Sequence, residues 1–84
     1  MPTKEIHLSV GIAARDLDAK AAHARRLLAS RVNLRVSVDG VEPSQEALAE
    51  AVLRRFVAAV GDAADGVVPA QLGDGKLVAV LWSS

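Results

Sequence analysis

Apolar residues in this chain change their spacing from segment to segment, and this change limits the fold more than any single motif does. In 5–10 and again in 32–38 they alternate with polar residues, the period-two pattern of a strand with one buried face. From 16 to 30 they recur at the spacing of an amphipathic helix, and we expect Asp16 to cap its first turn. A helix between two strands predicts a parallel crossover. The alternating positions are Ile6, Leu8, Val10, Val32, Leu34, Val36 and Val38, and the helical ones are Leu17, Ala21, Ala24 and Leu28.

The dipeptide Asp-Gly occurs twice, and the flanking residues give it two different roles. At 39–40 no strand follows directly, because a helix begins instead, with Pro43 in or just before its first turn and Ser44 as its expected cap. At 74–75 the dipeptide lies between two apolar segments, which predicts a β-hairpin.

The second helix is apolar over much of its circumference, and Gly61 is expected to end it. Its spacing predicts a buried stripe that is widened by neighbouring apolar residues. The stripe is Leu48, Val52, Phe56 and Ala59, widened by Leu53 and Val60.

The resulting order is β-α-β-α-β-β, which predicts an α/β fold of two layers with two helices on one face of a four-stranded sheet. The last strand, 77–81, is apolar on both faces. We therefore expect it to lie in the centre of the sheet.

Composition narrows the class of protein. A chain of 84 residues with no cysteine fits one small domain, 1–84, without disulfides or thiolate metal sites, and we expect no metal and no cofactor. No apolar run approaches the roughly 20 residues that span a bilayer, and Pro2 and Thr3 lead directly into a strand. We expect a cytoplasmic protein with no membrane partner and no small-molecule substrate.

The net charge of zero hides a separation of charge along the sequence. Residues 15–35 carry six cations against two anions, a net charge of +4, while residues 36–50 carry four anions and no cation. A typical nucleic-acid-binding domain has a pI above about 9, whereas the pI of this chain is 6.7. Nucleic-acid binding, if present, is predicted to depend on the basic segment.

Catalysis is not indicated. His7 and Ser9 share a strand face and with an aspartate would imitate a hydrolytic triad, but the chain has no Gly-x-Ser-x-Gly turn. The loop that begins at Gly11 lacks the lysine and glycine pattern of phosphate-binding loops. We expect a non-enzymatic protein, and we expect Trp82, its single tryptophan, to anchor the core.

Several short motifs in the same order as the predicted elements suggest a family. They are Lys4-Glu5-Ile6 at the first strand, Gly11 and Asp16 before the first helix, Lys20 and Arg26 within it, the segment VSVDGVEPSQEALAEAVLRR, Pro69, and a glycine-bearing hairpin before a final apolar strand. This arrangement, which covers nearly the whole chain, resembles the C-terminal domain of bacterial translation initiation factor 3. The resemblance implies a mixed sheet whose final strand is antiparallel to the others. It also implies binding to the small ribosomal subunit and its rRNA, and a block on premature joining of the large subunit.

The resemblance also suggests which residues would contact the ribosome. Lys20, Arg26 and Arg55 match cations of the family, and neighbouring cations extend the set. The candidates for RNA or ribosome binding are Lys20, Arg25, Arg26, Arg31, Arg35 and Arg55. Arg25 and Arg26 are also compatible with an ordinary solvated helix face, and Arg54 and Arg55 with ordinary helix electrostatics, including an i,i+4 pair of Arg54 with Glu50.

The turn after the second strand departs from the family. Where the family has the pattern Arg-x-Arg-Gly-Arg-Glu, this chain has Ser37, Asp39 and Val41 in place of the three arginines, while Gly40 and Glu42 are retained. Losing several phosphate contacts removes much of the sequence-independent affinity for RNA. The alternative is therefore a relative with reduced charge that acts in protein recognition or self-association without binding RNA.

Overall fold

The computed structural model describes residues 2–83; Met1 and Ser84 of the predicted domain lie outside the described residues, as do the side chains of Pro69 and Ala70. The predicted order of elements is confirmed. The strands are β1 Thr3–Ser9, β2 Asn33–Asp39, β3 Gly66–Gly73 and β4 Lys76–Trp82, the helices are α1 Ala14–Ala29 and α2 Glu46–Val60, and single 3-10 turns at Pro43–Gln45 and Gly61–Ala63 flank α2.

The four strands form one mixed sheet in the order β1-β2-β4-β3. β1 and β2 are parallel neighbours joined by α1, and β4 pairs antiparallel with both β2 and β3. The fold class, the central position of the last strand and its antiparallel direction are therefore as predicted. The register places Glu5 beside Arg35 and His7 beside Ser37.

Both helices pack on the same face of the sheet and close a single hydrophobic core. The four predicted core residues of α1 are all buried, as are the alternate residues of the central strands that face the helices. The largest fully buried side chains are Phe56, Leu28, Leu34, Leu81, Val36, Val38 and Val60. The opposite face of the sheet carries no helix among residues 2–83, and we call it the open face.

The buried stripe of α2 agrees only in part with the predicted one. The side chains that enter the core are Ala49, Leu53, Phe56 and Val60, whereas Leu48 is 58% exposed and Ala59 is exposed. Apolar residues surround most of this helix, so sequence spacing fits more than one stripe, and the packing of the helix in the folded chain decides which one is buried. The prediction is therefore confirmed for Phe56 and for the widening residues Leu53 and Val60, wrong for Leu48 and Ala59, and it missed Ala49.

The helix starts also differ from expectation. α1 begins at Ala14 after Ala13, which makes no side-chain cap. Asp16 lies within the first turn, where its negative charge interacts favourably with the positive end of the helix dipole. The 3-10 turn before α2 is closed by a capping box between Glu42 and Gln45, so Ser44 is not the cap. Polar residues near both starts made more than one cap compatible with the sequence.

The two Asp-Gly turns meet in space. Asp74 and Gly75 both have positive φ, 53° and 71°, as a two-residue hairpin turn of type I′ requires. Gly40 has φ 67°, and the amide of the next residue, Val41, donates a 2.8 Å hydrogen bond to the carbonyl of Gly75. The predicted hairpin at 74–75 is confirmed, and the turn at 39–40 directs the chain into α2 instead.

Candidate nucleic-acid interface

The direction of each element separates the charges of the chain into two halves of the molecule. Because α1 returns the chain between two parallel strands, the starts of both helices lie at the end of the sheet where β1 and β2 finish, and the helix ends lie where these strands begin. The 74–75 hairpin lies with the helix starts, since it contacts Val41.

The half with the helix starts is acidic. It holds three cations against seven anions, a net charge of −4: Arg15, Lys20 and Lys76 against Asp16, Asp18, Asp39, Glu42, Glu46, Glu50 and Asp74. The other half holds seven cations against three anions, a net charge of +4: Lys4, Arg25, Arg26, Arg31, Arg35, Arg54 and Arg55 against Glu5, Asp62 and Asp65. We call these the acidic half and the basic half.

Five of the six candidate cations lie in the basic half, and Lys20 is the exception. The five do not form one patch, however, because the sheet separates them. Arg35 alternates with the buried residues Leu34 and Val36 and so projects from the open face, on the side opposite the helices. Arg26 lies on α1 roughly opposite its buried stripe, and Arg55 is exposed on α2.

Arg25 has a structural contact. Its guanidinium donates a 2.5 Å hydrogen bond to the main-chain carbonyl of Val60, the last residue of α2. Cations interact favourably with the unpaired carbonyls at a helix C-terminus. Arg25 therefore links the two helices, which is a role that the sequence pattern did not reveal because the partner is 35 residues away.

Arg31 lies in the turn between α1 and β2 in an unusual backbone conformation. Its φ is 63°, and the amides of Arg31 and Val32 donate 3.0 Å hydrogen bonds to the carbonyls of Leu28 and Leu27. These are the two bonds of a Schellman motif, in which glycine normally occupies the left-handed position. The side chain of Arg31 is exposed at the end of the basic half.

The remaining candidate side chains are free to meet an external anion. Within residues 2–83 both ion pairs contain His7, and neither contains a lysine or an arginine. No side-chain hydrogen bond to a described residue is made by Lys20, Arg26, Arg31, Arg35 or Arg55. Arg54 belongs with them, because the predicted pair of Arg54 with Glu50 is not formed. We define the basic surface as Arg26, Arg31, Arg54 and Arg55, the unpaired cations of the helix layer and the end of α1 in the basic half.

The open face carries a cluster of His7, Ser37 and Asp39 over β1 and β2. His7 Nδ1 lies 2.9 Å from Ser37 Oγ and 3.0 Å from Asp39 Oδ2, and the Ser37 hydroxyl donates to Asp39 Oδ1 at 3.1 Å. His7 Nε2 is 3.6 Å from Glu5 Oε2. Sequence reasoning paired His7 with Ser9 along one strand, whereas the parallel register brings Ser37 beside it.

This cluster does not have the geometry of a hydrolytic triad. A serine nucleophile needs one histidine nitrogen as its base while the aspartate binds the other nitrogen. Here both Ser37 and Asp39 approach the same nitrogen, Nδ1, and the Ser37 hydroxyl donates its hydrogen bond to Asp39. The contacts serve to hold the ends of β1 and β2 together.

The other half of the open face, over β4 and β3, is apolar. Trp82 is 45% exposed and Val68 is 38% exposed; the half-buried Val78 and Val80 precede Trp82 on the same face of β4, and Val68 pairs with Val80. The expectation that Trp82 anchors the core is wrong, because Leu77, Ala79 and Leu81 point toward the helices and the alternation of a strand turns Trp82 the other way.

Other site types have little support in the described part of the chain. No group of three or more His, Asp or Glu side chains is placed to hold a metal ion within residues 2–83. No helix among these residues is long and apolar enough to cross a membrane. Comparison with models of known protein families and with curated proteins gives no match.

Proposed function

We propose that this chain acts in translation initiation by binding the rRNA of the small ribosomal subunit through its basic surface and opposing premature joining of the large subunit. The observation that carries the proposal is the separation of charge: a chain with no net charge has one half at +4 with four unpaired arginines on the basic surface. The resemblance to the C-terminal domain of bacterial translation initiation factor 3 supplies the class of partner. On this proposal the protein is a cytoplasmic binding protein rather than an enzyme.

The charge separation has a physical consequence for binding. Phosphate backbones attract the basic half and repel the acidic half, so the protein approaches RNA in a preferred orientation even though its total charge is zero. For each phosphate that the protein contacts, the logarithm of the binding constant falls by about 0.7 to 0.9 for every tenfold rise in salt concentration. A protein with few such contacts therefore shows a shallow dependence on salt. We expect tight binding only where the basic surface meets a matching site.

The turn at 39–40 lies in the acidic half, next to the 74–75 hairpin and its Asp74. Cations in this turn would be close to the anions of the acidic half, and the chain has no cation at the three positions 37, 39 and 41, which are Ser37, Asp39 and Val41. The RNA contact proposed here therefore uses the helix layer and the α1–β2 turn, not the turn that carries the cations in the family.

The test is co-sedimentation of the protein with small ribosomal subunits across a salt series. Arg26→Glu and Arg35→Glu form a matched pair, because both arginines are exposed, both lack partners among the described residues, and they project from opposite sides of the sheet. We expect Arg26→Glu to weaken binding and to reduce the salt slope by about 1, and Arg35→Glu to change binding much less.

Weaker binding should be accompanied by a weaker effect on subunit joining. Light scattering of mixed small and large subunits should show slower joining with the protein and a smaller effect with Arg26→Glu. Absence of binding even at low salt would overturn the proposal. Equal weakening by both substitutions would rule out the basic surface as the specific contact.

The alternative function, protein recognition without RNA binding, is favoured by the exposed apolar half of the open face. Val78, Val80 and Trp82 follow one another on this face of β4, and Val68 lies beside Val80 on β3. Aromatic residues are enriched in protein interfaces. Two results together would favour this alternative: binding to a ribosomal protein that depends only weakly on salt, and loss of that binding with Trp82→Ala.

A further inference from the structure

The two edges of the sheet differ in their readiness to accept another strand. β3 contains Pro69, which has no amide hydrogen to donate, and its pairing with β4 shifts register between Val68 and Gln71. Proline and irregular pairing are devices that protect an edge strand from added strands. β1 has seven residues without proline and keeps an unbroken register with β2 from Thr3 to Ser9.

A groove runs beside the β1 edge, between this strand and α1. It has a volume of about 240 Å³ and an apolar floor from Ile6 and the half-buried Leu27. Lys4 and Lys20 supply cations to its wall, His23 lies with them, and the other lining residues are Glu5 and His7. A strand added to β1 would lie along this groove, with every second side chain directed toward α1.

We propose that β1 binds an extended, acidic segment of a partner protein as a fifth strand, with an apolar side chain in the groove and acidic side chains beside Lys4 and Lys20. Strand addition of this kind takes affinity from main-chain hydrogen bonds and specificity from pockets for alternate side chains. The charge of the groove selects the occupant: Lys4 and Lys20 have no ion-pair partner within residues 2–83, and the one anion of the lining, Glu5, lies 3.6 Å from His7. This role also accounts for Lys20, the candidate cation that lies outside the basic half.

A second copy of this chain fits the same edge poorly. Antiparallel pairing of two β1 strands would place the α1 flanks of both copies on the same side of the joined sheet, so that the two grooves, each with Lys4 and Lys20, would face each other. The positive charges of the two facing grooves would repel each other. The two lysines therefore oppose self-pairing and favour an acidic partner.

The inference is tested with the capped peptide Glu-Thr-Val-Thr-Glu as a probe. In an extended strand its valine and both glutamates share one face, so they meet the groove and the lysines together. We expect binding by NMR titration, with slowed solvent exchange of β1 amides that point away from β2. The peptide Lys-Thr-Val-Thr-Lys, with the same backbone and opposite charge, should bind at least about tenfold more weakly.

N-methylation of the peptide distinguishes strand addition from simple charge attraction. In an added strand only alternate residues direct their amides at the edge. Methylation at valine and methylation at both threonines block opposite sets of amides, so one peptide should lose binding and the other should keep it. Equal binding of the two methylated peptides would overturn the inference.

Two charge reversals in α1 give the matched protein variants. Lys20→Glu should lower the affinity for the acidic peptide by about tenfold. Arg26→Glu, on the outer side of the same helix, should leave that affinity unchanged. Equal effects of the two variants, no binding of the acidic peptide, or a dimer of the free chain with protected β1 amides would each contradict the proposed site. Because no ribosome is present, these outcomes are independent of the proposed function.

Discussion

The guanidinium of Arg25 in α1 binds the main-chain carbonyl of Val60 at the end of α2, at 2.5 Å. This bond fixes the end of one helix against the flank of the other. The residue that follows, Gly61, has φ 62°, a backbone conformation that favours glycine. An arginine that sequence alone grouped with RNA-binding candidates is thus part of the packing of the helix layer.

Replacing Arg25 is therefore expected to destabilise the fold. Arg25→Met keeps the aliphatic stem and removes the charged donor, which should lower the free energy of unfolding by about 1–2 kcal/mol. Arg26→Met is the matched control, because Arg26 makes no side-chain bond to a described residue, and its effect should be within about 0.5 kcal/mol. Urea denaturation followed by circular dichroism measures both, and equal effects would show that the Arg25 bond contributes nothing.

Arg31 offers the opposite change. An L-residue in the left-handed region costs roughly 1–2 kcal/mol, which glycine avoids at the expense of a larger entropy loss on folding. Arg31→Gly is expected to raise the free energy of unfolding by up to about 1 kcal/mol. Arg31→Ala removes the same charge but keeps the strain, so thermal denaturation should show no comparable gain for it.

The buried stripe of α2 predicts different costs for two leucines of one helix. Leu53→Ala creates a cavity in the core and should cost about 2–4 kcal/mol, whereas Leu48→Ala, at a side chain that is 58% exposed, should cost less than about 0.5 kcal/mol. Urea denaturation of the two variants decides which stripe is buried. A larger cost for Leu48 would restore the stripe predicted from sequence.

The contacts of Ser37 predict that it has no nucleophilic role. Hydrolysis of p-nitrophenyl acetate should proceed at the same slow rate for the native chain and for Ser37→Ala, because the Ser37 hydroxyl donates its hydrogen bond to the Asp39 carboxylate. His7→Gln, which removes the imidazole, serves as the second variant. A rate that falls with Ser37→Ala and His7→Gln alike would identify a catalytic function for the cluster.

The sequence predicted those features that depend on near neighbours along the chain. Strand alternation, the four core residues of α1, the end of α2 at Gly61 and the 74–75 hairpin are confirmed because each rests on local backbone preferences or on a clear apolar period. The predicted helix caps were wrong, since Asp16 and Ser44 are acceptable caps in sequence but neither caps in the structure.

Contacts between distant segments required the tertiary structure. The stripe of α2 depended on which of several apolar faces met the sheet, and Trp82 followed the strand alternation of its neighbours into solvent. The pairing of His7 with Ser37 depended on strand register, and the bond of Arg25 to Val60 on the packing of two helices.

The sequence by itself determined the order of elements, the two-layer fold and the presence of equal numbers of opposite charges. Only the tertiary structure decided that these charges occupy opposite halves of the molecule, that the sheet separates Arg35 from the basic surface, and that Lys20 lies beside an open strand edge. The physical reason is that periodicity reports which residues leave water, whereas the placement of exposed residues relative to one another depends on the directions and faces of elements that are far apart in the chain.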